Sequence, residues 1–246
     1  MGAMAYAVFD IETRIDKALV KAVYAPREPI DAEEAYQRTR AQLLETTGSD
    51  FFPPPFHVPI AIVVGNVGGD LELSAVELIG GGVGEDAEAA MVRAFWERIE
   101  QFRGTLVSFN GRGFDLPVLE LQALRHGCAA PRYFNERNGH RHRYSERHYD
   151  LYDFLTNYGV TRLRGGFQLL ARLIGLSGKT DVSGADVQGL WEAGRLPDIQ
   201  AYCRRDVIQT YFLFLRVELM RGRVAPDRYA EILERTAAFG REVEAG

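Results

Sequence analysis

The stretch VFDIET, Val8 to Thr13, decides the fold. It continues an apolar run, AYAVF, and sets two acids one residue apart, Asp10 and Glu12. The run is too short for a helix, and Val8, Phe9 and Ile11 favour extended backbone, so residues 4–11 read as a β-strand. Side chains alternate across a strand, so Asp10 and Glu12 share a face with Tyr6 and Val8. Their Cα atoms then lie about 7 Å apart. Two like charges this close to a buried sheet are costly without a cation. The plainer reading is a strand that simply ends at the surface.

Working outward, residues 31–47 have a polar helical pattern. FFPPPFHVP, 51–59, reads as irregular, because its prolines remove donors and fix φ. Residues 60–78 read as a hairpin turning at Asn66–Asp70. An amphipathic helix with an acidic first turn follows at 86–102. A strand at 105–110 then leads through GRGFD into a helix at 116–126. The next segment, 131–148, reads as irregular and basic. Helical pieces follow near 150–158, 167–176 and 185–193. A long helix starts near Pro197, which suits a first-turn position, and runs to about residue 220. A last helix starts at Pro226. Strands come early and helices late, with a βαβ-like step. The expectation is one α/β domain over 1–246, with a helical, Pro-rich insertion at about 17–58.

Composition narrows the classes of function. Of 246 residues, 46% are hydrophobic and 11% aromatic, enough for a sizeable core. No apolar run approaches the roughly 20 residues of a membrane span, and no basic-then-apolar leader opens the chain. A cytoplasmic protein with no membrane partner is expected. Cys128 and Cys203 have no CxxC or Cys/His spacing, which argues against a disulfide scaffold or a zinc site. The net charge of −5 argues against coating of duplexes, but not against a nuclease with a local basic groove.

Two further acidic stretches complete the pattern. In SFNGRGFDLPVL, Asn110 ends a strand, Gly111 and Gly113 permit unusual backbone angles, and Asp115 precedes a helix, where it is also a candidate N-cap. In AYCRRDVIQTYFLFL, helical spacing puts Ile199, Tyr202, Cys203, Asp206, Thr210 and Leu213 on one stripe. Asp206 thus falls among apolar neighbours, where an acid needs a partner. An ion pair with Arg162 or Arg172 would be the ordinary one. Taken together, the acids converge only if divalent metal neutralises them. Hard oxygen donors without His or Cys favour magnesium or manganese. Carboxylates with two such ions serve phosphodiester displacement.

The order D-x-E, N-x-x-x-F-D, Y-x-x-x-D resembles the DEDD exonucleases of ribonuclease H-like fold, in the branch with a tyrosine in the third motif. The chain looks most like stand-alone relatives of the proofreading domain of family-B DNA polymerases, from VFDIET to YFLFLR, and LWEAGRLPDIQAYCRRDVIQTYFLFLR is the most specific part. The resemblance implies a central mixed β-sheet flanked by helices, and a 3′–5′ exonuclease releasing nucleoside 5′-monophosphates. It implies two Mg²⁺ or Mn²⁺ ions. Asp10, Glu12 and Asp206 would hold the first, and Asp10 would bridge to the second, with Asp115 supporting it through water. Tyr202 would orient the attacking water, since an unperturbed pKa near 10 leaves it a poor base. Asn110 would lie near the terminal nucleotide or brace the site by a hydrogen bond, and Phe114, Arg141 and Arg143 would contact substrate. The expected partner is single-stranded DNA or a frayed 3′ end. RNA stays open, because the acids do not choose the sugar. A non-cleaving binding module is the rival from another class.

Around these motifs, Asp150 reads as an N-cap for the helix that follows it ahead of a metal-supporting role, and His148 as a solvated side chain ahead of a substrate contact. The segment 132–148 interleaves arginines, Arg141 and Arg143 among them, with Tyr133, Phe134 and Tyr144. That mixture suits single-strand binding, and equally a solvated loop. Phe51, Phe52 and Phe56 either cover the core or meet a 3′ end. Lys179 in GLSGKT is a candidate phosphate contact. A phosphate loop is excluded there, because Leu173 stands where its first glycine belongs.

Overall fold

The computed structural model of the protein describes residues 4–176 and 184–244. Lys179 lies outside the described residues. The first strand, β1, runs Met4–Ile15, longer than expected, so both acids lie inside it. Its partner β2, His57–Gly68, follows it antiparallel along its length, with Asp10 opposite Val63 and Glu12 opposite Ala61. β3, Leu73–Leu78, completes the expected hairpin. On the other side of β1 lie β4, Thr105–Ser108, and β5, His148–Asp150, both parallel to it. The order β3-β2-β1-β4-β5 is the mixed sheet that was expected.

Alternation along β1 sorts the core into two layers. Ala7, Phe9 and Ile11 pack with Phe95 and Trp96 of α3, Glu85–Gln101, and Leu119 of α4, Asp115–His126. Val8 faces the opposite way, into the cluster of Cys203, Val207 and Phe214 on α9, Leu196–Met220. Asp10 and Glu12 share Val8's face, so the same alternation aims them at α9. Gly65 of β2 lets α9 close in, since a Cβ there would stand 3.1 Å from Val207 Cγ1.

The insertion forms its own layer. Asp16 caps α1, Lys17–Tyr24, and Asp31 caps α2, Ala32–Thr47. Ile15, Val20, Tyr36, Phe52 and Phe56 are buried together beneath them. FFPPPFHVP departs from the irregular reading. Pro54–Phe56 make a 3₁₀ turn and β2 already begins at His57. Pro59 pairs with Thr13 beside the register shift that follows Glu12, the kind of irregular position where a strand tolerates proline.

Two other expectations are corrected. The basic segment contains a short helix, α5, Pro131–Asn135, and its end forms β5. Only pairing with β4 makes that three-residue strand. Past it come α6, Leu151–Leu155, α7, Gly166–Leu173, and α8, Val187–Glu192. The tail is two helices, α10, Pro226–Arg235, and α11, Ala237–Glu244. They break at Thr236, whose hydroxyl donates to the Ile232 carbonyl. No helix among the described residues is long and apolar enough to cross a membrane.

Candidate active site

β1 outruns its parallel neighbour, and that open edge starts the site. Pairing with β4 covers only Tyr6 to Val8. Beyond it, the Ile11 amide donates to Asp115 Oδ1 at 3.2 Å. Asp115 therefore opens α4 without capping it; its carboxylate continues the strand edge instead. The turn before it is tight. Asn110 takes a left-handed φ of 62°. A Cβ on Gly111 would lie 2.4 Å from Ser108 Oγ, and one on Gly113 equally close to Asn110 Oδ1. Asp150 fixes the turn from β5. Its Oδ1 accepts from the amides of Asn110 and Tyr152 at 3.0 Å, and its Oδ2 from the Arg112 amide at 2.9 Å. Asp150 thus caps α6, as expected, and braces the motif as well.

α9 supplies the third side. The Tyr202 hydroxyl donates to the Asp206 carboxylate, whose Oδ1 is buried with no partner. The nearby guanidinium is Arg205 of the same helix, rather than Arg162 or Arg172. Cys203 is the residue that motif reading passed over. Its Sγ lies 3.5 Å from the Asp10 carbonyl oxygen and 3.7 Å from Asp10 Oδ2. Its place on the same helical stripe as Tyr202 and Asp206 is the signal that points to it. Ligand atoms of Asp10, Glu12 and Cys203 all fall within 4.8 Å of one another.

The electrostatics follow from this crowding. Burial, then the charges of Asp115, Glu12 and Asp206, hold the Asp10 carboxyl well above the usual carboxylate range. Burial, Asp206 and Asp115 do the same to Glu12. Burial pushes Asp115 up to about 7 and Asp206 up to about 6. Burial, with the surrounding acids, pushes the Tyr202 hydroxyl beyond the usual tyrosine range, so it stays protonated. A set of hard oxygens that repel one another, with one Asp206 oxygen lacking any partner, fits a divalent cation of the magnesium or manganese type.

Beside Glu12 opens a cleft of about 700 Å³, lined also by Phe114, Phe51, Tyr36 and Arg40. The three insertion phenylalanines divide. Phe52 and Phe56 are buried, whereas Phe51 is 58% exposed. The Phe51 and Phe114 rings meet edge-on at 5.2 Å, and both touch His57 at 4.9 Å. His57 is locked by Thr13 Oγ1 at 2.7 Å and the Phe52 carbonyl at 2.9 Å. Asn110, Arg141 and Arg143 line a separate recess next to Gly113. Arg141 is held there by Glu120 at 3.1 Å. Arg132 and Arg147 serve the fold, binding backbone carbonyls of Phe102 and Arg103. His148 is corrected: it is buried, with Nε2 at 2.8 Å from Ser108 Oγ, not solvated.

The sheet order and its flanking helices define a ribonuclease H-like fold. The family B DNA polymerase from the hyperthermophilic archaeon Pyrobaculum calidifontis is similar over 87% of this chain, with a TM-score of 0.52 and 17% identity. The chain spans 24% of that polymerase's length. No curated protein matches the chain. The chain belongs to the family described as a predicted 3′–5′ exonuclease related to the exonuclease domain of PolB, whose model matches residues 49–244. The matched span holds Asp115, Tyr202 and Asp206; Asp10 and Glu12 precede it and join them through β1.

Proposed function

We propose that the protein is a divalent-cation-dependent 3′–5′ exonuclease that trims single-stranded DNA or frayed 3′ ends to nucleoside 5′-monophosphates. The observation that carries this reading is the meeting of Asp10, Glu12, Asp115 and Asp206, drawn from β1, α4 and α9, close enough for Asp115 and Asp206 to raise the pKa of Asp10 and Glu12. Asp10, Glu12 and Asp206 would hold one Mg²⁺ or Mn²⁺ ion, and Asp10 with Asp115 a second. Such ions, when bound, lower the pKa of water and neutralise charge on phosphate oxygens.

The chain's own groups do the rest. Water's oxygen joins the terminal phosphorus, and the bond from that phosphorus to the neighbouring 3′ oxygen breaks. The 3′ oxygen takes up a proton, and the last nucleotide leaves with its 5′-phosphate. Tyr202 keeps its proton and donates to Asp206, so its oxygen remains free to accept from the attacking water and set its angle. Phe51 and Phe114 offer ring surface to an unpaired terminal base, a contact open to any base sequence. Asn110, fixed by Asp150, stands at the mouth of the turn for the terminal nucleotide.

The test uses 5′-labelled single-stranded DNA and RNA of one sequence, incubated with magnesium, manganese or a chelator. A DNA ladder shrinking from the 3′ end only with metal supports the proposal. A ladder on RNA alone reassigns the sugar, and no ladder on either strand rejects the enzyme.

A further inference from the structure

A second feature lies along the sheet edge at β5. β5 is an outer strand of the sheet. Along it runs a groove of about 390 Å³, lined by Arg112, Arg143, Tyr144, Tyr158, Arg221 and Arg223. Two of its tyrosines are turned to solvent, Tyr144 at 78% and Tyr158 at 51% exposure. Tyr158 holds a left-handed φ of 56° directly after Asn157 at 51°. That backbone is uncommon for a bulky side chain and concentrates where a site requires it.

The groove's lining sets Arg112, Arg143, Arg221 and Arg223 against Glu146, Asp150 and Asp153, with Asp153 3.9 Å from Arg112. The single Glu218 carboxylate faces two guanidiniums, Arg221 at 3.0 Å and Arg223 at 3.7 Å. Arg143 reaches only the Tyr158 carbonyl, at 3.4 Å. Asp150, which also lines the groove, is consumed by the backbone amides described above. The buried His148 borders the groove and keeps its Nδ1 without a partner. Arg143 and Arg223, neither with a close carboxylate of its own, lie beside exposed aromatic rings, a pairing that suits a single strand: the cations meet phosphates and the rings meet base faces.

The groove adjoins the recess beside Asn110. Arg112, Arg143 and Asp153 line both the groove and the recess that holds Asn110 and Gly113. Asp150 ties the Asn110 and Arg112 amides together, and its charge reaches Asp115.

We propose that this edge groove is a second binding site for the substrate strand, holding nucleotides upstream of the scissile bond on Tyr144, Tyr158 and Arg223. The inference rests on the exonuclease reading and adds to it a preference for length. A dinucleotide fills only the cleft beside Glu12. A longer single strand also occupies the groove and gains the stacking and phosphate contacts there.

The experiment compares hydrolysis of a dinucleotide with that of an oligothymidylate of about 10 nucleotides. The enzymes are the parent chain, Tyr144→Ala, Arg223→Ala and the double variant. Tyr144 is exposed, and Glu218 keeps Arg221 when Arg223 is removed, so the fold is retained. The double variant is expected to lose about tenfold in kcat/KM on the long strand and nothing on the dinucleotide. Arg223→Ala is expected to lower the salt slope of long-strand binding by about 0.7. Equal losses on both substrates, or no loss on the long one, overturn the groove. Fluorescence anisotropy of labelled oligothymidylates separates the two readings. Length-dependent binding that both substitutions weaken upholds the groove even if no variant cleaves, in which case it is the exonuclease reading that fails. Thymidine 5′-monophosphate filling the groove, with no dependence of strand binding on length, also overturns it.

Discussion

Replacing Asp115 by asparagine should stabilise the metal-free protein, and only above acidic pH. The Asp115 carboxyl is pushed up from 3.8 to about 7, first by burial, and Asp150 adds to the rise. A raised carboxyl costs nothing below the unfolded pKa, where both states hold the proton. As pH climbs towards the folded pKa, the unfolded chain releases its proton and the folded one does not, so stability falls. A rise of about 3 units corresponds to an upper limit of about 4 kcal/mol, fully lost above pH ~7. Neighbouring acids share the repulsion, so about 2 kcal/mol is the expected measured gain for Asp115→Asn. Asparagine keeps an oxygen for the Ile11 amide, so the strand edge is not broken. Urea unfolding in chelator at pH about 8 and about 4 reads the effect, and the gain should shrink to about 0.5 kcal/mol or less at the lower pH. Manganese should reverse it, because the ion stabilises the parent more than the variant. A variant less stable than the parent at the higher pH, or a gain equal at both, would refute the reasoning.

Asp10→Ala and Asp206→Ala should abolish cleavage while the metal-free fold melts no lower than the parent; a melting point several degrees lower in chelator would contradict the relief of repulsion. Tyr202→Phe should slow cleavage by about 10²-fold, far less than loss of an acid, because it removes only the group that aims the water. Single-turnover rates decide this, and equal losses would mean that the tyrosine does more. Cys203→Ala should weaken manganese binding by about tenfold, and Cys203→Ser should restore it, since a hydroxyl can replace the thiol's hydrogen bond to Asp10. Calorimetric titration gives both values, and identical affinities would remove Cys203 from the site.

The acids were legible because strand and helix periods act locally. Asp10 and Glu12 share a face by alternation, and Tyr202, Cys203 and Asp206 share a stripe by helical spacing, whatever packs against them. Pro197 likewise marked the start of α9 through its own geometry. β5 was not legible, because His148–Asp150 is extended only through its pairing with β4. The same pairing buries His148 against Ser108, which no local pattern reports. Pro59 misled in the opposite sense, since proline speaks against a strand unless a register shift, a property of two strands together, receives it. The arginines of 132–148 looked alike in sequence and parted in space. Arg132 and Arg147 bind carbonyls, Arg141 binds Glu120, and Arg143 is left facing the groove. Phe51 parted from Phe52 and Phe56 for the same reason: those two join Tyr36 in the insertion's small core, and Phe51 lies beside Phe114.

Crystals of the full chain soaked in manganese, with anomalous scattering recorded, give the most direct reading of the acidic centre. Two anomalous peaks among the carboxylates of Asp10, Glu12, Asp115 and Asp206 are the expected result. Peaks elsewhere, or none at saturating manganese, would contradict the whole account.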